Sequence, residues 1–212
     1  MIRSLPRAAA LLALALALLG ARPARAVGYL DDWHPYQTYW GVGWSAAVPV
    51  TSMRSSYIDN TGWLGGGFDI RIGVAGRLAV GVNGTWNWFD QTFSTLTLQQ
   101  GDFTFTGPVY RRLSSFTGLA TAHYYLTSGA VQPFVGVGVG CIWISTLQQV
   151  VNQARGASTS GLAVAGEAGI LFTVAERLGL YLSGRYQLNM TTIPGVEDPQ
   201  WASGQAGLAY YF

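Results

Sequence analysis

The chain has 212 residues, of which 50% are hydrophobic and only 10% are charged. Soluble domains usually carry about 25% charged residues, so this composition argues against a water-soluble globular protein. The formal net charge is only +2 and no basic cluster stands out, so we expect no binding to nucleic acid. The single cysteine, Cys141, excludes an internal disulfide framework.

The N-terminal segment has the three parts of a secretory signal peptide. Arginines precede an unbroken apolar run at 8–19, and residues 24–26 read Ala-Arg-Ala, an A-x-A cleavage site. We expect residues 1–26 to be removed and residues 27–212 to form one domain; the alternative is an uncleaved anchor. Cleavage would leave eight basic and ten acidic residues, a net charge of −2.

No stretch after residue 26 is apolar over the roughly 20 residues that a membrane-spanning helix needs. Only helices and closed β-barrels satisfy every backbone hydrogen-bonding group within lipid. High hydrophobicity without a spanning helix therefore predicts an all-β protein, a transmembrane barrel of antiparallel strands. Eight runs alternate apolar with polar or small residues, as barrel strands do: 37–48, 62–73, 78–89, 113–126, 131–144, 162–173, 178–190 and 203–212.

The connections between these runs alternate in length. Short ones lie at 74–77, 127–130 and 174–177, and long ones at 49–61, 90–112, 145–161 and 191–202. Three short turns and four long loops predict an eight-stranded barrel with both termini on the periplasmic side. A soluble barrel or sandwich is the alternative, although its outward face would be polar. Alternation continues into 90–112, which suggests a hairpin that protrudes beyond the membrane and could bind a surface partner.

Aromatic residues concentrate near the predicted strand ends. Two belts of aromatic side chains, one at each membrane interface, are typical of membrane barrels. Trp40 and Tyr124 are predicted at the periplasmic interface. The predicted outer interface contains Trp63, Trp86, Trp88 and Trp143.

The C-terminal strand ends Leu208-Ala-Tyr-Tyr-Phe212. With the strand count and the loop asymmetry, this ending resembles the small outer-membrane β-barrel proteins of the OmpA/OmpX type, over essentially all of 27–212. The resemblance implies that Leu208, Tyr210 and Phe212, at alternate positions, form the signal recognised by the outer-membrane assembly machinery. It also implies contact with outer-membrane lipid and lipopolysaccharide. The chain departs from two-domain members, because nothing resembling a peptidoglycan-binding domain follows the barrel.

If the large apolar residues face lipid, the alternation places Asp69, Arg71, Glu167 and Arg185 inside the lumen. A charge facing lipid costs about 2–4 kcal/mol at the membrane midplane. That all four charges face the lumen therefore supports this assignment of inward and outward residues. Glu167 and Arg185 lie on neighbouring strands, and a five-residue connection places them directly opposite each other. We interpret them as a buried ion pair. A structural role and a gate that opens a narrow water path both remain open.

No catalytic constellation is evident in the sequence. The two histidines, His34 and His123, are isolated from any set of serine and acid at the outer rim, and they make no zinc motif with Cys141. We therefore predict no enzyme activity and no cofactor. The first prediction is an outer-membrane barrel with a structural or surface-interaction role and a plugged polar interior. The alternative is a narrow channel or transporter for small or hydrophobic solutes.

Overall fold

The computed structural model describes residues 38–100, 103–150, 153–193 and 195–212. The predicted signal peptide and His34 lie outside these residues. No helix within the described part of the chain is long and apolar enough to cross a membrane. The elements in chain order are β1 (Tyr39–Val50), α1 (Thr51–Ser56), β2 (Leu64–Ala75), β3 (Leu78–Gln100), β4 (Phe103–Tyr125), β5 (Val131–Val150), β6 (Gln153–Ala175), β7 (Leu178–Met190), β8 (Thr192–Ile193), β9 (Val196–Glu197) and β10 (Gln200–Tyr211).

Eight antiparallel strands close into a barrel in the order β1-β10-β7-β6-β5-β4-β3-β2. The first and last strands pair along their whole length, from Tyr39 opposite Tyr211 to Val50 opposite Gln200, so the wall has no open seam. The predicted fold class is confirmed. We call the end with the three short connections and Phe212 the turn end, and the opposite end the loop end.

Four strands, β3 to β6, extend well beyond their predicted bounds at the loop end. The strand β3 continues for about a dozen residues beyond Trp88, on the order of 40 Å at 3.3 Å per residue, and pairs with β4 as far as Gln100 opposite Phe103. The predicted hairpin in 90–112 is therefore present. The prediction of a long loop at 145–161 was wrong, because β5 and β6 stay paired up to Val150 opposite Gln153.

The strands stay paired beyond the apolar part of the wall because backbone hydrogen bonding does not depend on lipid-facing apolar side chains. In 145–161 the sequence turns to Ser, Thr and Gln, which is typical of a loop when hydrophobic alternation is the criterion. Each strand still finds its neighbour's amide and carbonyl groups, and threonine fits a pleated sheet well. The result is a four-stranded extension of the wall, formed by β3 to β6 beyond the loop end of the other strands.

The interior of the barrel is layered. At the turn end, apolar and aromatic side chains from the strands form one buried cluster: Tyr39, Ala79, Tyr125, Phe134, Leu171, Tyr181, Ala209 and Tyr211. Polar and charged side chains fill the middle. A second apolar cluster fills the loop end, and its largest members include Met53, Tyr57, Ile58, Phe89, Leu113, Ile142, Ile144 and Trp201. The predicted polar interior is thus correct only for the middle layer.

The loop end is covered by two connections that the sequence analysis treated as loops. The short helix α1 buries Met53, and Ile58 follows it into the cluster. The hairpin of β8 and β9 adds Ile193 and Val196. Trp201, at the start of β10, packs against Phe89 with 5.8 Å between ring centroids. Burial of these apolar side chains holds both connections over the lumen.

Candidate functional site

A charged layer lies halfway through the lumen. Asp69 and Arg71 are two residues apart on β2 and therefore share the inward face, while Glu167 comes from β6 and Arg185 from β7. All four are buried, with at most 8% of any of them exposed. Two carboxylates meet two guanidinium groups, so the formal charges of the four residues balance.

Glu167 joins the two arginines. Its Oε2 accepts a hydrogen bond from Nη2 of Arg185 at 2.7 Å, and its Oε1 accepts one from Nη2 of Arg71 at 3.4 Å. Arg71 also approaches Asp69, with Nη2 at 2.6 Å from Oδ2. Removing one partner of such a buried network leaves an uncompensated charge, which is far more costly than the pair is stabilising.

The strand register pairs Glu167 directly with Arg185, as the parity of the two strands predicted. The contact of Glu167 with Arg71 was not predicted. These residues belong to β6 and β2, which are not neighbours in the wall, so no register relates them. Their meeting follows from the narrow lumen of an eight-stranded barrel, across which long side chains reach each other. The sequence could show only that each of these side chains lies at an inward-facing position of its own strand, not that they meet.

Neutral polar side chains extend the charged layer toward the loop end. Nη1 of Arg185 donates to Oδ1 of Asn83 at 2.5 Å and to Oγ1 of Thr85 at 2.9 Å. Gln187 donates to Oγ1 of Thr117 at 2.9 Å and to Oδ1 of Asn189 at 2.6 Å. The bonds of Arg185 to β3 and of Gln187 to Thr117 on β4 join strands that are not neighbours in the wall, so the polar middle layer ties the wall together across its interior.

His123 lies beside the charged layer on β4. Its Nε2 is 3.5 Å from Oε2 of Glu167, and its ring contacts Phe134 edge-on with 5.4 Å between centroids. Only 1% of His123 is exposed, within the closed lumen. Among the described residues, no group of three or more His, Cys, Asp or Glu side chains is arranged to hold a metal ion.

Arg111 fastens the loop-end closure from the protruding part of β4. Its Nη1 donates to the carbonyl oxygens of Ser56 at 3.2 Å and of Tyr57 at 3.0 Å, at the C-terminal end of α1. The guanidinium also lies 5.2 Å from the ring centroids of both Tyr57 and Phe93. Burial lowers the pKa of Arg111 and raises the pKa of the Tyr57 hydroxyl, in both cases by penalising the charged form.

The predicted aromatic residues lie on the outer wall in two belts. Trp40 and Tyr124 lie near the turn end, and Trp40 contacts Tyr210 with 6.1 Å between centroids. Near the loop end, side chains of the predicted outer belt are exposed or half-buried: Trp63, Trp86, Trp88 and Trp143. The sequence analysis missed Trp44, which stacks on Trp63 and donates from Nε1 to its carbonyl oxygen at 2.7 Å.

The residues of the predicted assembly signal share one face of β10. Leu208, Tyr210 and Phe212 point outward and are exposed, while Ala209 and Tyr211 point into the turn-end cluster. Phe212 is 71% exposed and contacts Tyr210 edge-on, with 6.0 Å between ring centroids. The strand therefore presents a continuous apolar stripe to the surroundings of the barrel.

No protein-family model matches the chain, and no curated protein matches its sequence. The fold, however, is similar to solved structures. Neisserial surface protein A superposes with a TM-score of 0.58 at 15% identity, covering 83% of this chain and 97% of that one. Ail, the attachment invasion locus protein of Yersinia pestis, superposes with a TM-score of 0.51 at 12% identity, covering 82% and 97%. The chain therefore has the fold of the small eight-stranded outer-membrane barrels.

Proposed function

We propose that the protein is an integral outer-membrane barrel that conducts no solute and displays the extension of β3 to β6 at the cell surface as an interaction surface. The export signal, residues 1–26, would be cleaved, and the termini would lie in the periplasm. The observation that carries the proposal is the combination of a lumen closed at both ends with a wall that extends far past its apolar part on one side.

Membrane insertion is supported by the outward face. Large apolar side chains point away from the lumen on every strand of the barrel, as Leu182 on β7 and Val139 on β5 illustrate. In water, exposing such a continuous apolar surface would be strongly unfavourable, whereas lipid covers it. The charges of the middle part of the wall point inward, where they pair with one another.

The closed lumen argues for a surface role over the alternative of a channel. A solute moving along the axis would have to displace the aromatic cluster at the turn end, the ion-paired layer and the apolar cluster at the loop end. Eight-stranded barrels have interiors that side chains fill. The same closure leaves His123 and Glu167 without access for a substrate, so the proposal includes no catalytic step.

The extension is the part of the molecule best suited to meet a partner. It rises on one side of the barrel. Within the residues that the structure describes, its edge on β3 beyond Trp88 and its edge on β6 before Leu162 pair with no strand of the barrel. Side chains of the loop end contact the base of each edge, Asn60 at the carbonyl oxygen of Asp90 and Thr191 at that of Ser160. Free strand edges offer backbone amides and carbonyls to an added strand. The name of Ail describes an attachment protein on this fold, and we propose the same broad class, surface attachment, for this chain.

Insertion would proceed through the assembly machinery of the outer membrane, which would read Leu208, Tyr210 and Phe212. The outward exposure of this stripe on β10, the strand that closes the barrel against β1, supports that role. Lipid and lipopolysaccharide are the proposed surroundings of the wall.

Cysteine labelling in intact cells tests location and orientation together. In a Cys141→Ser background, Gln149→Cys places a thiol on the exposed extension, and the matched Glu176→Cys places one on the exposed turn between β6 and β7. A membrane-impermeant maleimide should label position 149 in intact cells and position 176 only after lysis. Labelling of both positions in intact cells, or of 176 alone, contradicts the proposal.

A further inference from the structure

The outer wall carries a shallow hollow near the loop end that the surface role does not use. It has a volume of about 510 Å³ and lies over β3 to β6. One side is formed by a row of aromatic rings from paired positions, Trp86, Phe116 and Trp143. The other side is a row of serines one step closer to the loop end, Ser114, Ser145 and Ser158. The volume falls in the range of about 300–1,000 Å³ typical of small-molecule sites.

The lining of the hollow is neutral, since all ten residues that form it are uncharged. The rings of Phe116 and Trp143 lie 6.0 Å apart, and about half of each side chain is exposed. Ser145 and Ser158 contact each other at 3.5 Å between hydroxyl oxygens, which leaves their other donor and acceptor directions open to the hollow. The hollow thus combines flat apolar faces with several hydroxyl groups.

This combination suits a saccharide. A sugar ring has an apolar face of C–H groups, which packs on aromatic rings, and an edge of hydroxyl groups, which exchange hydrogen bonds with serine. A phosphate headgroup would instead require arginine or lysine for its charge, and neither lines the hollow. The chemistry therefore favours an uncharged sugar over an anionic lipid headgroup.

The position of the hollow restricts where the sugar comes from. The aromatic row belongs to the loop-end belt, where membrane barrels meet the headgroup region of the bilayer. On its turn-end side the wall becomes apolar, with Cys141 and Leu162 exposed. A ligand seated here has acyl chains on one side and water on the other.

We propose that the hollow binds the sugar headgroup of a glycolipid in the outer leaflet, with the ring stacked over Trp143 and its hydroxyls bonded to Ser145 and Ser158. This inference rests on the proposed membrane location but not on the surface-attachment role. The acyl chains would lie along the apolar wall next to Leu162.

Native mass spectrometry of the refolded chain, residues 27–212, tests the proposal. The probes are a monoglucosyl diacylglycerol, the same diacylglycerol without sugar, phosphatidylglycerol and a soluble glucose disaccharide. Trp143→Leu removes the flat ring and Ser145→Val removes a hydroxyl, both at exposed strand positions. Trp63→Ala is the matched control, because Trp63 belongs to the same belt and lies outside the hollow.

We expect the unchanged chain and Trp63→Ala to retain the glucosyl lipid in preference to the other probes. Trp143→Leu and Ser145→Val should each lower its retention about three- to tenfold. The proposal would be overturned if Trp143→Leu retained the glucosyl lipid as well as the unchanged chain does, or if the unchanged chain retained phosphatidylglycerol equally well. It would also be overturned if only the soluble disaccharide bound, or if the chain formed a dimer in place of the lipid complex. If the cysteines are labelled as expected but no glycolipid is retained, only the proposed glycolipid site is wrong. If the labelling itself fails, the proposed membrane location is wrong.

Discussion

The two ends of the lumen are closed in different ways. At the turn end, every side chain of the buried cluster comes from a barrel strand, so the closure is part of the wall. At the loop end, α1, the residues just after it and the hairpin of β8 and β9 lie over the lumen and contribute Met53, Ile58 and Ile193. The turn end therefore opens only if the barrel unfolds, whereas the loop end can open by local detachment of short segments.

Substitution of one large buried side chain at each end tests most directly whether the two closures differ in this way. Phe134→Ala removes a fully buried ring that also lies 4.2 Å from the guanidinium of Arg71, and we expect the free energy of unfolding to fall by about 4–5 kcal/mol. Met53→Ala should lower it by less than about 1 kcal/mol, since α1 detaches locally. Urea unfolding, followed by heat-dependent gel mobility, measures both. Equal effects would show that the two closures are equally integral to the wall.

The charged layer between the two closures gives the next largest effect. Glu167→Gln leaves Arg71 and Arg185 with only the carboxylate of Asp69, and we expect a loss of about 3–4 kcal/mol in the free energy of unfolding. Glu176→Gln, the same change in an exposed turn, is the control and should have almost no effect. An unchanged unfolding midpoint for Glu167→Gln would rule out the pairing.

Arg111 should control the loop end without affecting the turn end. Arg111→Gln removes the donor to the carbonyls of Ser56 and Tyr57, so we expect trypsin to cleave after the exposed Arg54 about five- to tenfold faster, while global unfolding shifts by about 1 kcal/mol or less. Arg112→Gln is the matched control, because that guanidinium lies 4.5 Å from Trp88 and faces away from α1. Equal cleavage in both variants would contradict the role of Arg111.

The smallest effect is a pH dependence of the same closure. Burial raises the pKa of Tyr57 in the folded chain, so the folded state favours the neutral hydroxyl. The stabilisation is complete below the unfolded value of about 10 and is lost as the pH rises through the folded value. Cleavage after Arg54 should therefore accelerate above about pH 10, and Tyr57→Phe should abolish that acceleration. A Tyr57→Phe variant with the same pH profile would assign it to another group.

Much of this architecture could be predicted because lipid and lumen impose opposite polarity on alternate residues. On β7 the alternation from Leu178 to Met190 gave the strand bounds, the outward face and the inward position of Arg185. The length of β5 and β6 could not be predicted this way. Beyond the lipid both faces meet water, so the polarity of Ser158 or Thr159 no longer distinguishes a strand from a loop.

The charged layer was predictable only between neighbouring strands. Glu167 and Arg185 follow from a turn length, whereas Arg71 joins them across a lumen whose width no local pattern encodes. The helix α1 escaped prediction because six residues give less than two turns of apolar periodicity. It is held over the lumen by contacts with residues far away in sequence, among them Arg111 and the apolar cluster that buries Met53.

Planar-bilayer conductance tests the central claim, a lumen closed at both ends, most directly. The refolded chain, residues 27–212, is compared with a variant in which residues 51–58 are replaced by glycine and serine, and heat-dependent gel mobility establishes folding. We predict that both bilayers stay silent, because the turn-end cluster closes the lumen even when α1 is gone. Discrete conductance steps from the unchanged chain would contradict the closed lumen, and steps from the variant alone would contradict closure by the turn end.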